Sequence, residues 1–317
     1  MAPAHCYRGC MIDETLALRD DVVALFPGQG SLAGGAGLAW RHSAHWSLVG
    51  RVSESAGLDV EYLLTEASDE DVVRTDRAQI ATFALSLVSY HDLLDQGVRP
   101  RYLLGHSLGE FSALVASGLL SLDDGARLIA VRGSAMAAAA QSAEGSMVAL
   151  MGGDDEARAA LANLEDLWVA NINGTGQIVV SGTREALDHL LSVHRDLGWR
   201  RATPLAVGGA FHSPLMAPAQ SELDRALASV RWGHTDQTLI ANVDGAVHTT
   251  AEEWRELLSR QLTSPVEFLA ATLALPASVT TSVEMAPAGV LTGLTKRIRA
   301  FERQVSLETP DQLEGAR

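Results

Sequence analysis

The stretch from residue 102 to residue 116 restricts the fold of this chain more than any other. Residues 102–104 have the apolar character of a buried strand, Gly-His-Ser-Leu-Gly follows at 105–109, and apolar residues at helical spacing occupy 111–115. A strand that turns directly into a helix is typical of folds in which strands and helices alternate around a parallel sheet. The small residues around Ser107 make such a sharp turn sterically possible.

The same turn has a chemical meaning. Residues 105–109 fit the pattern G-x-S-x-G, in which a serine hydroxyl is lifted clear of the backbone. The helix that begins behind it points N–H groups at the oxyanion of an acyl-transfer reaction. A glycine-rich structural turn can match the pattern by accident, but the flanking strand and helix favour Ser107 as a nucleophile.

A serine nucleophile requires a base, and the chain has ten histidines. His106 is adjacent in sequence, but its side chain is expected to point away from that of Ser107 at a tight turn. His212 lies in a Gly-Ala-Phe-His-Ser-Pro loop at 209–214, where catalytic groups often occur. Spacing alone leaves His212 as one candidate among several.

Other segments extend the α/β pattern. An apolar strand at 22–26 ends at Pro27-Gly28, helices are predicted from Ile80 and at 123–140, and a further strand is predicted at 280–284. Between them, residues 147–207 predict the order β-α-β-β-α-β, the split motif of ferredoxin-like units. We therefore expect a parallel-sheet core with a small inserted subdomain.

The matching segments of a known family run in order along the chain. This sequence resembles the malonyl-CoA:acyl carrier protein transacylase family, which includes discrete trans-acting polyketide synthase acyltransferases, over residues 22 to about 303. The segments are Phe26–Gly30, Gln79, Gly105–Glu110, Val131–Gly133, Asn173, Gln177, Gly209–Ser213, Gln261-Leu262, Pro265-Val266 and Leu291–Leu294.

The resemblance implies an α/β-hydrolase-like core with a parallel sheet and a ferredoxin-like insert. The implied divisions are an N-terminal extension (1–21), a large subdomain (22–143 and 209–305), a small subdomain (144–208) and a C-terminal tail (306–317). It also implies roles for individual residues: Ser107 as nucleophile, His212 as base, Gln29 and the Leu108 N–H as the oxyanion hole, Gln261 as orienter of the histidine through its carbonyl, and Gln79 and Asn173 lining the acyl site.

Arg132 and Phe211 are the expected specificity residues. By helical spacing alone, Arg132 would more often be a surface arginine whose stem covers apolar area. In the resemblance, the matching arginine grips the free carboxylate of a malonyl group, which a guanidinium can hold with two hydrogen bonds. In related polyketide acyltransferases, a phenylalanine before the histidine accompanies malonyl and a serine accompanies methylmalonyl, so the resemblance implies malonyl for Phe211. Its ring should crowd an α-methyl branch.

The chain departs from the family pattern in several loops. Leu32 stands where the family usually has glutamine, Ala36 replaces a usual methionine, and Ala286-Pro287-Ala288 replaces a usual Gly-Pro-Gly. These loops bear on pocket size and on the choice of acyl group.

Composition excludes several classes of partner. The formal net charge of −15 argues against nucleic acid, and no apolar run reaches the roughly 18 to 20 residues that would cross a bilayer. We expect a cytoplasmic monomer. Cys6 and Cys10 are too few for a closed zinc site, and we expect no metal.

The resemblance implies ping-pong transfer of an acyl group, expected to be malonyl, from CoA to the phosphopantetheine thiol of an acyl carrier protein, with both molecules as substrates and no cofactor. Because no ketosynthase-like or carrier-protein sequence is attached, we expect a discrete enzyme acting in trans. The alternatives are transfer of a larger acyl group between carrier proteins, hydrolysis of an acyl thioester, and a non-catalytic carrier-binding module.

An acidic enzyme that meets an acidic carrier protein needs a local basic surface. A helix predicted from Val290 to about Phe301 would place Lys296, Arg299 and Arg303 on one face, with Arg297 near its edge. We expect this face, through Lys296, Arg297 and Arg299, to contact the carrier protein. A merely solvated face is the alternative.

Overall fold

The larger of two sheets carries the G-x-S-x-G turn. The computed structural model describes residues 16–317, and five of the six strands of this sheet run parallel. In spatial order they are β10 (Arg303–Ser306), β9 (Thr281–Glu284), β1 (Leu18–Phe26), β2 (Arg99–Gly105), β7 (Thr238–Ile240) and the antiparallel edge strand β8 (Val247–His248). The predicted α/β class is confirmed.

The central strand β1 explains the apolar run at its end. Residues Val22–Phe26 are fully buried, because helices cover both faces of a parallel sheet. The helices are α1 (Ser47–Ala56), α2 (Val60–Thr65), α3 (Asp69–Val72), α4 (Thr75–Asp95), α5 (Leu108–Ala116), α6 (Leu122–Ser142), α7 (Asp155–Ala160), α8 (Arg184–Val193), α9 (Ala217–Leu227), α10 (Ala251–Gln261), α11 (Phe268–Leu273) and α12 (Val290–Ile298). Within residues 16–317, no helix is both long and apolar enough to cross a membrane.

Helix α4 is buried around most of its circumference, and it packs against α1, α5 and α6. Such a helix belongs to the interior of a domain rather than to its surface. Its first turns carry the buried polar residue Gln79, and α6 opposite carries the buried Arg132. The packing of α4 against α6 therefore brings two polar side chains into an apolar core.

The second sheet is antiparallel, with the strand order β4-β5-β3-β6. Its strands are β3 (Gly145–Met151), β4 (Leu167–Gly174), β5 (Gln177–Thr183) and β6 (Arg201–Pro204), and α7 and α8 lie between them in the chain. The predicted element order is confirmed. A separate apolar cluster that includes Val148, Leu150 and Trp199 packs these helices on the sheet.

Both ends of the chain differ from the sequence-based prediction. β1 begins at Leu18, so the last residues of the predicted extension 1–21 belong to the sheet; Cys6 and Cys10 lie outside the described residues. Residues 306–317, predicted as a tail, instead form the end of β10 and a 3₁₀ turn at Pro310–Ala316. Leu307 and Leu313 are buried there, and this burial holds the segment on the domain.

The turn between β2 and α5 depends on close backbone packing. A Cβ atom on Gly105 would overlap the backbone of Gly109 and Glu110, and one on Gly109 would overlap the carbonyl of Phe26 in β1. The two glycines let α5 start directly against the ends of β1 and β2.

Gly109→Ala should therefore lower the free energy of unfolding by about 1–3 kcal/mol or more, since an added methyl group meets backbone that cannot move away. Gly50→Ala in α1 is the matched control: a Cβ there meets nothing within 4 Å, and alanine should stabilise the helix by about 0.5–1 kcal/mol. Urea denaturation followed by circular dichroism measures both. Equal stability of the two variants would contradict the packing argument.

Candidate active site

Ser107 sits at the turn with an unusual backbone. Its φ of 54° and ψ of −110° lie outside the regions that non-glycine residues favour, which costs on the order of 1–3 kcal/mol. Side chains from elsewhere in the chain hold both of its backbone polar groups. The Ser107 N–H donates to Asn242 Oδ1 (2.6 Å), and Gln261 Nε2 donates to the Ser107 carbonyl (3.0 Å).

The structure brings His212 to the serine hydroxyl. Ser107 Oγ lies 2.8 Å from His212 Nε2, and His212 Nδ1 lies 2.9 Å from the backbone carbonyl of Gln261. A carbonyl can only accept, so Nδ1 carries the proton and Nε2 is free to accept one from the serine. Burial, reinforced by the charge of Arg132, lowers the pKa of His212 to about 3. The imidazole is therefore neutral near pH 7.

His106 faces away from the serine hydroxyl. Its Nε2 lies 2.9 Å from Asn173 Oδ1 in β4, and its ring packs against Phe268 with 5.3 Å between centroids. Burial lowers the pKa of His106 as well. The structure thus pairs Asn173, predicted to line the acyl site, with His106.

Arg132 also contacts the hydroxyl of Ser107. Its guanidinium donates to Ser107 Oγ (2.9 Å), Gln261 Oε1 (2.9 Å) and Gln79 Oε1 (2.6 Å), and it lies 5.5 Å from the ring centroid of Phe111. Burial lowers the pKa of Arg132 to about 9, so the side chain stays charged at neutral pH. Among the described residues, no carboxylate forms an ion pair with it.

The other predicted residues surround this group. Gln29 lies in the 3₁₀ turn that follows β1, and Phe26 is in register with Gly105, so the Gln29 turn lies beside the serine turn. Leu108 is the first residue of α5. Phe211 is buried beside His212, and its carbonyl accepts from Ser181 Oγ.

The predicted basic face is wrong in its geometry. α12 ends at Ile298, and Arg299 follows in an extended conformation. Its guanidinium donates to the carbonyls of Leu275, Pro276 and Val279, so it ties loops together rather than facing a partner. Arg303 lies in β10. Lys296 and Arg297 remain exposed in the last turn of α12, and Arg297 donates to Gln177 Oε1 (2.6 Å).

Sequence reasoning missed Asn242 and the role of Glu110. Asn242 donates to the Gly105 carbonyl (2.7 Å) while it accepts from Ser107, so one amide spans the turn. Glu110 is buried beneath the serine, and burial raises its pKa to about 7. A carboxyl group in the first turn of an apolar helix was the only signal for Glu110; a lone asparagine after a short strand gives none.

The chain matches a known protein family over most of its length. The acyl transferase domain family matches residues 23–306. A malonyl CoA-acyl carrier protein transacylase of Bacillus subtilis (strain 168) is 35% identical over 306 residues, which cover 93% of this chain and 96% of the relative.

Solved structures of malonyl-transacylases have the same overall fold as this chain. The malonyl-CoA:acyl carrier protein transacylase of Xanthomonas oryzae pv. oryzae superposes with a TM-score of 0.88 at 36% identity, covering 95% of this chain and 98% of the other. A malonyl-transacylase solved in complex with its type II PKS acyl-carrier protein superposes with a TM-score of 0.87 at 30% identity, covering 93% and 98%.

Proposed function

Because this chain belongs to the acyl transferase domain family, we propose that it moves a malonyl group from coenzyme A to the phosphopantetheine thiol of an acyl carrier protein. The observation that carries the choice of acyl group is the position of Arg132. A buried, charged guanidinium without a carboxylate partner among the described residues touches the nucleophile, and a malonyl thioester supplies that missing carboxylate.

The reaction proceeds in two half-reactions. His212 takes the proton of Ser107 as its oxygen attacks the thioester carbonyl, and the developing oxyanion accepts from the Leu108 N–H and the Gln29 turn. The intermediate collapses to a malonyl-serine ester while His212 returns the proton to the departing CoA thiolate. The carrier thiol then attacks the ester in the same way and regenerates Ser107. Every step is a proton or acyl transfer, so none requires a metal or redox group.

Gln261, Gln79 and Asn173 have supporting roles in this proposal. The Gln261 carbonyl fixes the tautomer and orientation of His212, and its side chain, with that of Gln79, aims the Arg132 guanidinium. Asn173 acts through His106 at the edge of the site. Phe211 bounds the acyl pocket and should disfavour a branched acyl group.

We also interpret the architecture more finely than the α/β class. The antiparallel order β4-β5-β3-β6 with two helices supports a ferredoxin-like subdomain at 144–208. The parallel sheet with Ser107 after β2 supports an α/β-hydrolase-like core built from 22–143 and 209–305.

Ser107→Ala should abolish the malonyl-enzyme adduct, because no other described group replaces the attacking oxygen. His212→Ala should lower the transfer rate by roughly 10² or more through loss of general-base catalysis. Intact-mass spectrometry after incubation with malonyl-CoA and a carrier-protein transfer assay measure these effects. His189→Ala, on the exposed face of α8, is the control. Near-normal turnover of His212→Ala would point to another base, such as His106.

Arg132→Ala should lower malonyl loading by roughly tenfold to a hundredfold, since a charge-assisted hydrogen bond is worth about 1.5–3 kcal/mol. Loading of acetyl groups should be spared or improved. Arg127→Ala, an exposed arginine on the same helix, is the matched control. If the unaltered protein already prefers uncharged acyl groups, the malonyl assignment fails and transfer of a larger acyl group takes its place.

The carrier protein should dock at Lys296 and Arg297, since both are exposed and a relative of similar fold binds an acyl-carrier protein. Reversing both to glutamate should slow transfer to the carrier without slowing serine acylation, and the difference should shrink as salt rises. Arg41→Glu with Arg231→Glu makes the same charge change at other exposed positions. Equal slowing in the two double variants would argue against this docking site.

A further inference from the structure

Glu110 lies beneath the nucleophile with both carboxylate oxygens occupied. Oε1 accepts from the backbone N–H of Asn242 (2.7 Å), and Oε2 accepts from Gln261 Nε2. The side chain is 1% exposed, so these two protein groups take the place of water. The steps proposed above do not use this carboxylate.

Asn242 and Gln261, the two partners of Glu110, each also bond to Ser107. Asn242 accepts from the Ser107 N–H, and Gln261 donates to the Ser107 carbonyl. The Gln261 backbone carbonyl also orients His212. Both backbone polar groups of the strained serine, and the ring of its base, therefore depend on residues that one carboxylate fixes.

The hydrogen-bond pattern specifies the protonation state. Both groups that face the Glu110 oxygens are N–H donors, so an ionised carboxylate satisfies them and a protonated one presents an O–H to a donor. The charged groups around it are Arg132 from α6 and Asp244 from the loop after β7, and His212 lies beyond Gln261. Arg132 favours the ionised form, whereas burial and Asp244 oppose it.

We propose that Glu110 is a positioning residue whose ionised form holds Ser107 and His212 in their reactive arrangement, so that its protonation switches off serine acylation. This inference rests on the acyl transfer proposed above. Burial raises the pKa of Glu110 to about 7, whereas the pKa of His212 is lowered to about 3. The acid limb of the acylation rate, near pH 7, thus belongs to Glu110 and not to the base.

Rapid-quench measurement of serine acylation by malonyl-CoA across roughly pH 5 to 9 tests this. The unaltered protein should lose rate as the pH falls through about 7. Glu110→Gln should acylate roughly tenfold to a hundredfold more slowly at high pH, and its rate should no longer fall near pH 7. The malonyl-CoA concentration at half-saturation should change less than about threefold, because Arg132 remains.

Glu284→Gln is the matched control. Glu284 is also fully buried and also accepts two backbone N–H groups, from Leu291 and Thr292, but it does not contact the partners of Ser107 among the described hydrogen bonds. This variant should keep the acid limb. An acid limb that persists unchanged in Glu110→Gln, or that disappears in Glu284→Gln as well, overturns the proposal.

A second variant covers the case in which Glu110→Gln does not fold. The residual acylation of His212→Ala should still fall near pH 7 if Glu110 titrates there, and a lost or shifted limb would overturn the inference. If the unaltered protein forms no malonyl-serine ester at any pH, the proposed function itself fails. The two failures are therefore distinguishable.

Discussion

The site depends on a serine held in a conformation that its own backbone disfavours. The positive φ of Ser107 turns its hydroxyl toward His212, and the cost of about 1–3 kcal/mol must be met by contacts around it. Asn242 and Gln261 supply these contacts, while Gly105 and Gly109 let α5 approach the sheet closely enough for them to form. Removal of either amide leaves a backbone polar group of Ser107 without its side-chain partner, and a side chain on either glycine collides with neighbouring backbone.

A buried cation beside Ser107 sets the electrostatics of the site. Arg132 is solvated by amide oxygens of Gln79 and Gln261 and by the face of Phe111, groups that carry no full negative charge. Its field helps to keep His212 unprotonated, and its uncompensated charge underlies the proposed preference for an anionic acyl group. The carboxylate of Glu110 partly offsets the positive charge of Arg132. The amide of Gln261 lies between the two side chains and bonds to both.

Local patterns were sufficient to predict the strand–turn–helix around Ser107 and the alternating α/β order, because both depend on apolar periodicity and on glycine at a turn. They failed where tertiary contacts decide. No residue near Arg299 predicts that α12 ends at Ile298. The end coincides with a tertiary contact, because the Arg299 guanidinium donates to carbonyls of residues 275–279. Strand β8 has two residues and leaves no pattern. Asn242 meets Ser107 across 135 residues, a distance at which sequence periodicity carries no information.

One backbone contact joins β4 of the small sheet to the loop that follows α10. Val266, five residues after Gln261, exchanges backbone hydrogen bonds with Ala170 and Ile172 of β4, each 2.9 Å long. Through these two bonds, the chain just after Gln261, whose carbonyl lies beside His212 Nδ1, pairs with β4 like a further strand. A chimera that exchanges residues 144–208 alone would therefore pair the β4 of another protein with the native backbone at Val266.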